Sequence, residues 1–168
     1  MITPDYVRTM AAYNAEMNRR LYAAAGKLSD AERKLQRGAF WRSIHGTLNH
    51  LLWGDRIWMS RFAGWPKPDV PIKQSAAVYD DFAMLAAERR RTDEDMIAWA
   101  KGVDERWLAG DMTWVSASVN REFTHARGFL VTHLFNHQTH HRGQAHAMIT
   151  AAGQPTGDTD LFLVVEPQ

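Results

Sequence analysis

The sequence predicts an all-α protein, a helical bundle, and three observations carry that prediction. Of the 168 residues, 45% are hydrophobic, and Leu, Ala, Met and Trp dominate over the β-branched residues. Four stretches repeat apolar residues every third or fourth position, the spacing that puts them on one face of a helix. Caps and breakers separate these stretches: Gly26, the Pro-rich segment 64–71, Gly102 and Gly110, and Gly153 with Pro155 beyond it.

Taken in order, the first helix opens with Thr3 as N-cap, Pro4 at the first position and Asp5 in the first turn. Tyr6, Met10, Tyr13, Met17 and Leu21 form its stripe, and Gly26 is the expected C-cap. Ser29-Asp30-Ala31-Glu32 has capping-box spacing, but the run to Gly38 is short and basic, so only a brief helical turn is expected there. A second helix is expected from about Trp41 or Ser43 to Phe62, with Ile44, Leu48, Leu51, Leu52, Met59 and Phe62 on its main face. His50 lies nearly opposite that face with Trp53 and Ile57, so the helix is apolar on two sides and reads as buried. Gly46 and Gly54 stand one turn before and after His50. A glycine inside a helix costs about 1 kcal/mol, so two around one histidine predict a close approach by another helix.

The third helix is expected from Ser75 to Lys101, with Phe82, Leu85, Met96 and Trp99 as its apolar positions. The charged run Glu88 to Asp95 within it reads as a solvated face with i,i+4 pairs. Between Gly110 and Phe123 the pattern changes. Thr113-Trp114-Val115 and Ser118-Val119 predict a short hairpin or extended segment before the last helix. The fourth helix runs from Ala126 or Gly128 to Ala152. The tail Leu161-Phe162-Leu163-Val164-Val165 is strand-like and is expected to pack in extended form over the bundle. There is no internal repeat.

The length predicts one domain over 1–168. A net charge of +1, with both signs mixed along the chain, argues against a nucleic-acid groove or a basic membrane surface. The absence of Cys excludes disulfides, thiolate metal sites and cysteine nucleophiles. Met1-Ile2-Thr3-Pro4-Asp5 has neither the basic nor the apolar region of a signal peptide, and no apolar run nears the ~20 residues that span a bilayer. The expectation is a cytoplasmic protein. Seven Trp suit thick packing layers or a pocket wall.

The chemistry lies in the histidines. Four of the eight fall in His133-Leu134-Phe135-Asn136-His137-Gln138-Thr139-His140-His141-Arg142-Gly143-Gln144. At 100° per residue, Leu130, Leu134, Ala145, Met148 and Ala152 form a stripe. His141 falls near its centre and His137 on its near side, while His133 and His140 lie at the edge. Two imidazoles one turn apart on a buried face can converge on one metal ion. Without a metal each needs its own partner, at about 1–3 kcal/mol for a buried polar group left unpaired. His50 is the expected third ligand. His45 reads as a boundary residue, His125 as a turn residue and His146 as solvent-facing. Asp55, on the apolar side of the second helix, either pairs with an arginine such as Arg142 or orients a ligand from behind.

Two motifs carry a family resemblance over nearly the whole chain. They are Ser43-Ile44-His45-Gly46-Thr47-Leu48-Asn49-His50-Leu51-Leu52-Trp53, followed by Asp55-Arg56-Ile57-Trp58, and Asn136-His137-Gln138-Thr139-His140-His141-Arg142-Gly143-Gln144. In this order and separation they resemble the DinB (damage-inducible) family of the DinB/YfiT-like metalloenzyme superfamily. The resemblance implies a four-helix bundle with a long crossover connection, often a homodimer. It implies a divalent metal held by His50, His137 and His141, zinc or nickel foremost and iron or manganese as the other candidates. It also implies, for relatives of the superfamily, thiol S-transferase or isomerase activity with a low-molecular-weight thiol cosubstrate.

Three neutral imidazoles leave a divalent ion with open coordination, the pattern of a catalytic site. Such an ion lowers the pKa of a bound water toward ~7 and favours the thiolate of a bound thiol. With no Cys in the chain, a sulfur nucleophile has to come from a cosubstrate. The ligands do not choose between hydrolysis and thiol transfer, and the sequence assigns no general base. The leading expectation is a metal-dependent transferase or hydrolase. The other is a non-catalytic metal-binding stress-response dimer whose ion ties the second and fourth helices together.

Overall fold

A computed structural model describes residues 1–116 and 119–166. Four long helices dominate it: α1 (Pro4–Ala25), α3 (Ile44–Phe62), α4 (Phe82–Lys101) and α6 (Arg127–Ala151). Short elements join them: α2 (Asp30–Lys34), a 3-10 turn (Ile72–Ala77), α5 (Glu105–Ala109), and strands β1 (Asp111–Ser116) and β2 (Arg121–Ala126); α7 (Leu161–Val164) follows the last long helix. α1 packs on α4 and α6, and α3 packs on the same two helices. No helix of the described residues is long and apolar enough to cross a membrane.

The predicted caps form. Thr3 Oγ1 accepts from the Tyr6 N–H at the start of α1, and Ser29 and Glu32 close a complete capping box on α2. The third helix differs from expectation. It starts at Phe82, where the Asp81 side chain accepts from the Met84 N–H, and not at Ser75. Ser75 sits in the 3-10 turn, fully buried against α3. Of the two alternatives, hairpin or extended segment, the hairpin forms, with β1 and β2 antiparallel and Asp111 opposite Ala126. Of the residues expected in it, Ser118 lies outside the described residues. Met112 and Trp114 face inward on β1, and β2 runs directly into α6. The tail is not extended. Residues Leu161–Val164 make one helical turn, closed by the Val165 N–H on the Leu161 carbonyl, with Phe162 79% exposed. An isolated strand would leave its backbone groups without partners, and the one sheet of the described residues is the hairpin.

The interior has two apolar clusters with a polar layer between them. One cluster takes Val7 and Ala11 from α1, Ile57 to Met59 from α3, Met96 and Ala100 from α4, and Leu130 to Phe135 from α6. The other takes Leu21 to Ala25, Ile44 to Leu52, Leu85, and Ala145 to Ile149 from the same four helices. Each of the four long helices carries buried polar residues between the clusters: Asn14 and Asn18, Asp55, Arg89 with Thr92 and Asp93, and Gln138 with Arg142. They bond to one another. Arg89 Nη1 donates to Asp55 Oδ2 (2.5 Å) and Nη2 to Asp93 Oδ1 (2.7 Å). Gln138 Nε2 donates to Asp55 Oδ1 (2.7 Å), Asn18 Nδ2 to Asp93 Oδ1 (3.0 Å), and Arg142 to Asn14 Oδ1.

Two expectations are corrected here. The partner of Asp55 is Arg89, not Arg142. The charged run 88–95 is solvated only in part, because Arg89, Thr92 and Asp93 point inward and close the layer.

Candidate metal centre

His50 on α3 and His137 and His141 on α6 come together beside the polar layer. One ring nitrogen from each lies within 4.8 Å of the other two, an arrangement that could hold a metal ion. His50 Nε2 stands 3.2 Å from His137 Nε2. Two imidazole nitrogens bound tetrahedrally to one ion stand about 3.4 Å apart, so this pair is close to ligand spacing. A donor set of three imidazoles suits zinc, nickel, copper or iron. His50 is 2% exposed and His141 7% exposed, while His137 is half-buried.

The surroundings turn the rings toward one point. His50 Nδ1 lies 2.8 Å from Ser75 Oγ, and His141 Nδ1 lies 2.8 Å from Gln144 Oε1. The Gln144 oxygen can only accept, so His141 Nδ1 carries the hydrogen and Nε2 presents its lone pair. The Ser75 hydroxyl can accept as well as donate, so it is compatible with the same tautomer at His50. His137 Nδ1 is buried and has no partner among the described residues. Gly54 makes room for this ring: a Cβ there would stand 2.9 Å from His137 Cε1. The close approach expected at Gly54 is therefore a side chain from α6. At Gly46 it is something else, since a Cβ there would meet the Trp41 carbonyl oxygen at 2.5 Å. That carbonyl belongs to a tight turn in which Arg42 takes φ 67°, a region that favours glycine. The turn lays the Trp41 ring on His50, with centroids 4.0 Å apart.

Burial sets the charge of the cluster. It pushes His50 and His137 down to about 3, each helped by its imidazole neighbours. Burial also lowers His141, against its hydrogen bond to Gln144. All three are neutral at pH 7, the form that binds metals. The metal-free protein should therefore be acid-labile. Unfolded histidines take up protons near pH 6.5, whereas folded His50 and His137 do so only near 3. The unfolded state binds more protons in that window, so stability is complete above about pH 6.5 and falls as the pH drops toward 3. Asp93, pushed up to about 6 by burial, acts in the opposite direction, one group against at least two. Urea midpoints of metal-free protein across this range are the check, and a flat profile from pH 7 to 4 would contradict the neutral cluster.

The remaining histidines lie outside it. His45 is buried and not at the boundary, with Nε2 donating to the Tyr79 carbonyl (2.8 Å). His125 is in β2 and not in a turn, packed between Phe123 and Phe129. His146 is half-buried and bonds Thr156 Oγ1 (2.7 Å), so it is not simply solvent-facing. His133 and His140 are exposed. Asp55 touches Gln138, the neighbour of His137 in sequence, but bonds none of the three imidazoles. Sequence reasoning missed Ser75, Gln144 and Trp41. Only Gln144 had a local signal, three residues after His141 on the same helix. A cleft of about 360 Å³ lined by Phe62, Trp99, Gly102, Val103 and Trp107 contains none of the three imidazoles.

A family model described as the DinB family matches residues 1–168. No curated protein matches the chain. Among solved structures, the crystal structure of a DinB-like protein from Bacillus cereus is similar, with a TM-score of 0.63 and 14% identity. The match covers 85% of this chain and 90% of that one, and at this identity it speaks for the fold alone.

Proposed function

The chain belongs to the DinB family, and from that premise we propose that it is a metal-dependent enzyme of the transferase or hydrolase type, with His50, His137 and His141 as the three ligands of a divalent ion. The observation that carries this reading is the convergence of three neutral imidazoles, two with Nδ1 bonded outward. We read the four long helices as a four-helix bundle with a long crossover, forming one domain over 1–168 that works as a cytoplasmic homodimer. Zinc or nickel is the ion foremost, with iron or manganese next.

The ion would supply Lewis acidity at an open position, acidifying a water or a thiol there. The chain does the rest. Gln144 fixes the tautomer of His141, and Ser75 orients the ring of His50. Trp41 covers one face of His50 and keeps water from it. With no Cys in the chain, a low-molecular-weight thiol would enter as cosubstrate. A second reading is a non-catalytic metal-binding stress-response dimer. The observation in its favour is that the 360 Å³ cleft lies at Trp99 and Trp107 and not over the imidazoles.

Elemental analysis of protein purified without an affinity tag tests the ligand set. About one divalent ion per chain is expected, lost in each of His50→Ala, His137→Ala and His141→Ala. No metal, or metal retained in all three variants, would overturn it.

A further inference from the structure

Beyond the three imidazoles, aromatic contacts lead along α3 and α6 to a cation. His137 neighbours His133 (ring centroids 6.1 Å), His133 packs on Trp58 (5.1 Å), and the Arg61 guanidinium carbon lies 4.5 Å above the Trp58 ring. Trp114 of the hairpin stands 5.9 Å from the same guanidinium. Arg61 is half-buried. Every other half-buried arginine has a hydrogen bond: Arg8 to Asp5, Arg20 to Glu16, Arg33 to Leu28, Arg37 to Glu32, Arg56 to Tyr79 and Arg127 to Trp107. Among the half-buried arginines of the described residues, Arg61 alone has neither a carboxylate nor a carbonyl.

The position of Arg61 in the last turn of α3 suits a cation, because the helix carbonyls end there. That accounts for its sign but not for its desolvation. Stacking on indole faces uses the flat surface of a guanidinium and leaves its five N–H donors, which lie in the plane, unspent. A partly desolvated fork with free donors has the geometry for a bidentate oxyanion.

We propose that Arg61 is the anion-recognition residue of this site, and that the ligand carries a carboxylate or phosphate at one end and a metal-binding group at the other, passing Trp58 and His133 between them. The proposal rests on the three-histidine reading above and adds a substrate class to it, a small elongated oxyanion.

The probe is a homologous series of ω-carboxy hydroxamic acids, each compared with its neutral carboxamide. Binding is followed by the visible spectrum of cobalt(II)-loaded protein, and metal content is measured on the same samples. For at least one chain length the acid should bind about tenfold more tightly than the amide. In Arg61→Gln the two should bind alike, with metal content unchanged. Arg61→Lys, which keeps the charge and loses the fork, should keep part of the preference. Protein that takes up no cobalt would remove the three-histidine reading and this inference with it. Cobalt taken up normally, with acid and amide binding alike at every length in the wild type, with neither binding, or with the preference intact in Arg61→Gln, would overturn the role of Arg61 alone.

Discussion

Replacing Arg89 with Ala is expected to destabilise the protein by about 3–5 kcal/mol, a large share of the 5–15 kcal/mol that holds a typical domain folded. Arg89 and Asp55 are 2% and 1% exposed at the side chain, and Arg89 bridges Asp55 and Asp93. Without the guanidinium, two buried carboxylates face each other's field across the layer, bonded only by the amides of Gln138, Asn18 and Asn14. A buried pair adds little net stability when complete, yet removing one partner leaves the full desolvation cost of the other. Arg90→Ala, next in sequence but exposed, should change stability by less than about 0.5 kcal/mol. Urea unfolding of the two variants separates these outcomes. Equal effects would mean that the layer does not depend on charge. Converting Arg89, Asp55 and Asp93 together to apolar residues of similar size should recover part of the loss, because no carboxylate is then stranded, although the buried Arg142 loses both of its carboxylate neighbours.

The same residues show where sequence reading succeeds and where it stops. The periodicity of α1, α3 and α6 is local, and it marked their faces because each stripe meets an apolar neighbour. The i,i+4 relation of His137 and His141 is also local, so their shared face was legible before any fold was known. Arg89 was not. Its neighbours Glu88, Arg90 and Arg91 give it the look of a solvated run, and its two partners stand 34 residues back and one turn ahead. Both relations fit a surface helix until α3 is laid beside it. Ser75 follows the Pro-rich segment and read as the start of a helix, whereas it serves the turn that holds His50. In each case the missing information is a contact distant in sequence, which local pattern does not encode.

Gly54 gives the sharpest contest between a local preference and such a distant contact. Helix propensity alone says that Gly54→Ala should stabilise α3 by about 1 kcal/mol. Packing says the reverse, since the new Cβ would lie 2.9 Å from His137 Cε1 and 3.4 Å from His137 Nδ1, against a ring backed by its own helix. The imidazole has to rotate or α6 has to shift, and either change moves Nε2 away from His50. Gly54→Ala should therefore gain little or no stability and lose metal affinity about 10–100-fold, the range for disturbing the support of a ligand. Gly54→Val, with two branches held stiffly at χ1, should lose more. Gly143 on α6 is the control. It is exposed with no neighbour within 4 Å of a new Cβ, so Gly143→Ala should stabilise by about 0.5–1 kcal/mol and leave metal affinity alone. Calorimetric zinc titration and urea unfolding of the three variants decide the matter. If Gly54→Ala behaves like Gly143→Ala in both measurements, then His137 is not held against α3. If affinity falls while the fold persists, the space left by a missing side chain on one helix sets the position of a ligand on another.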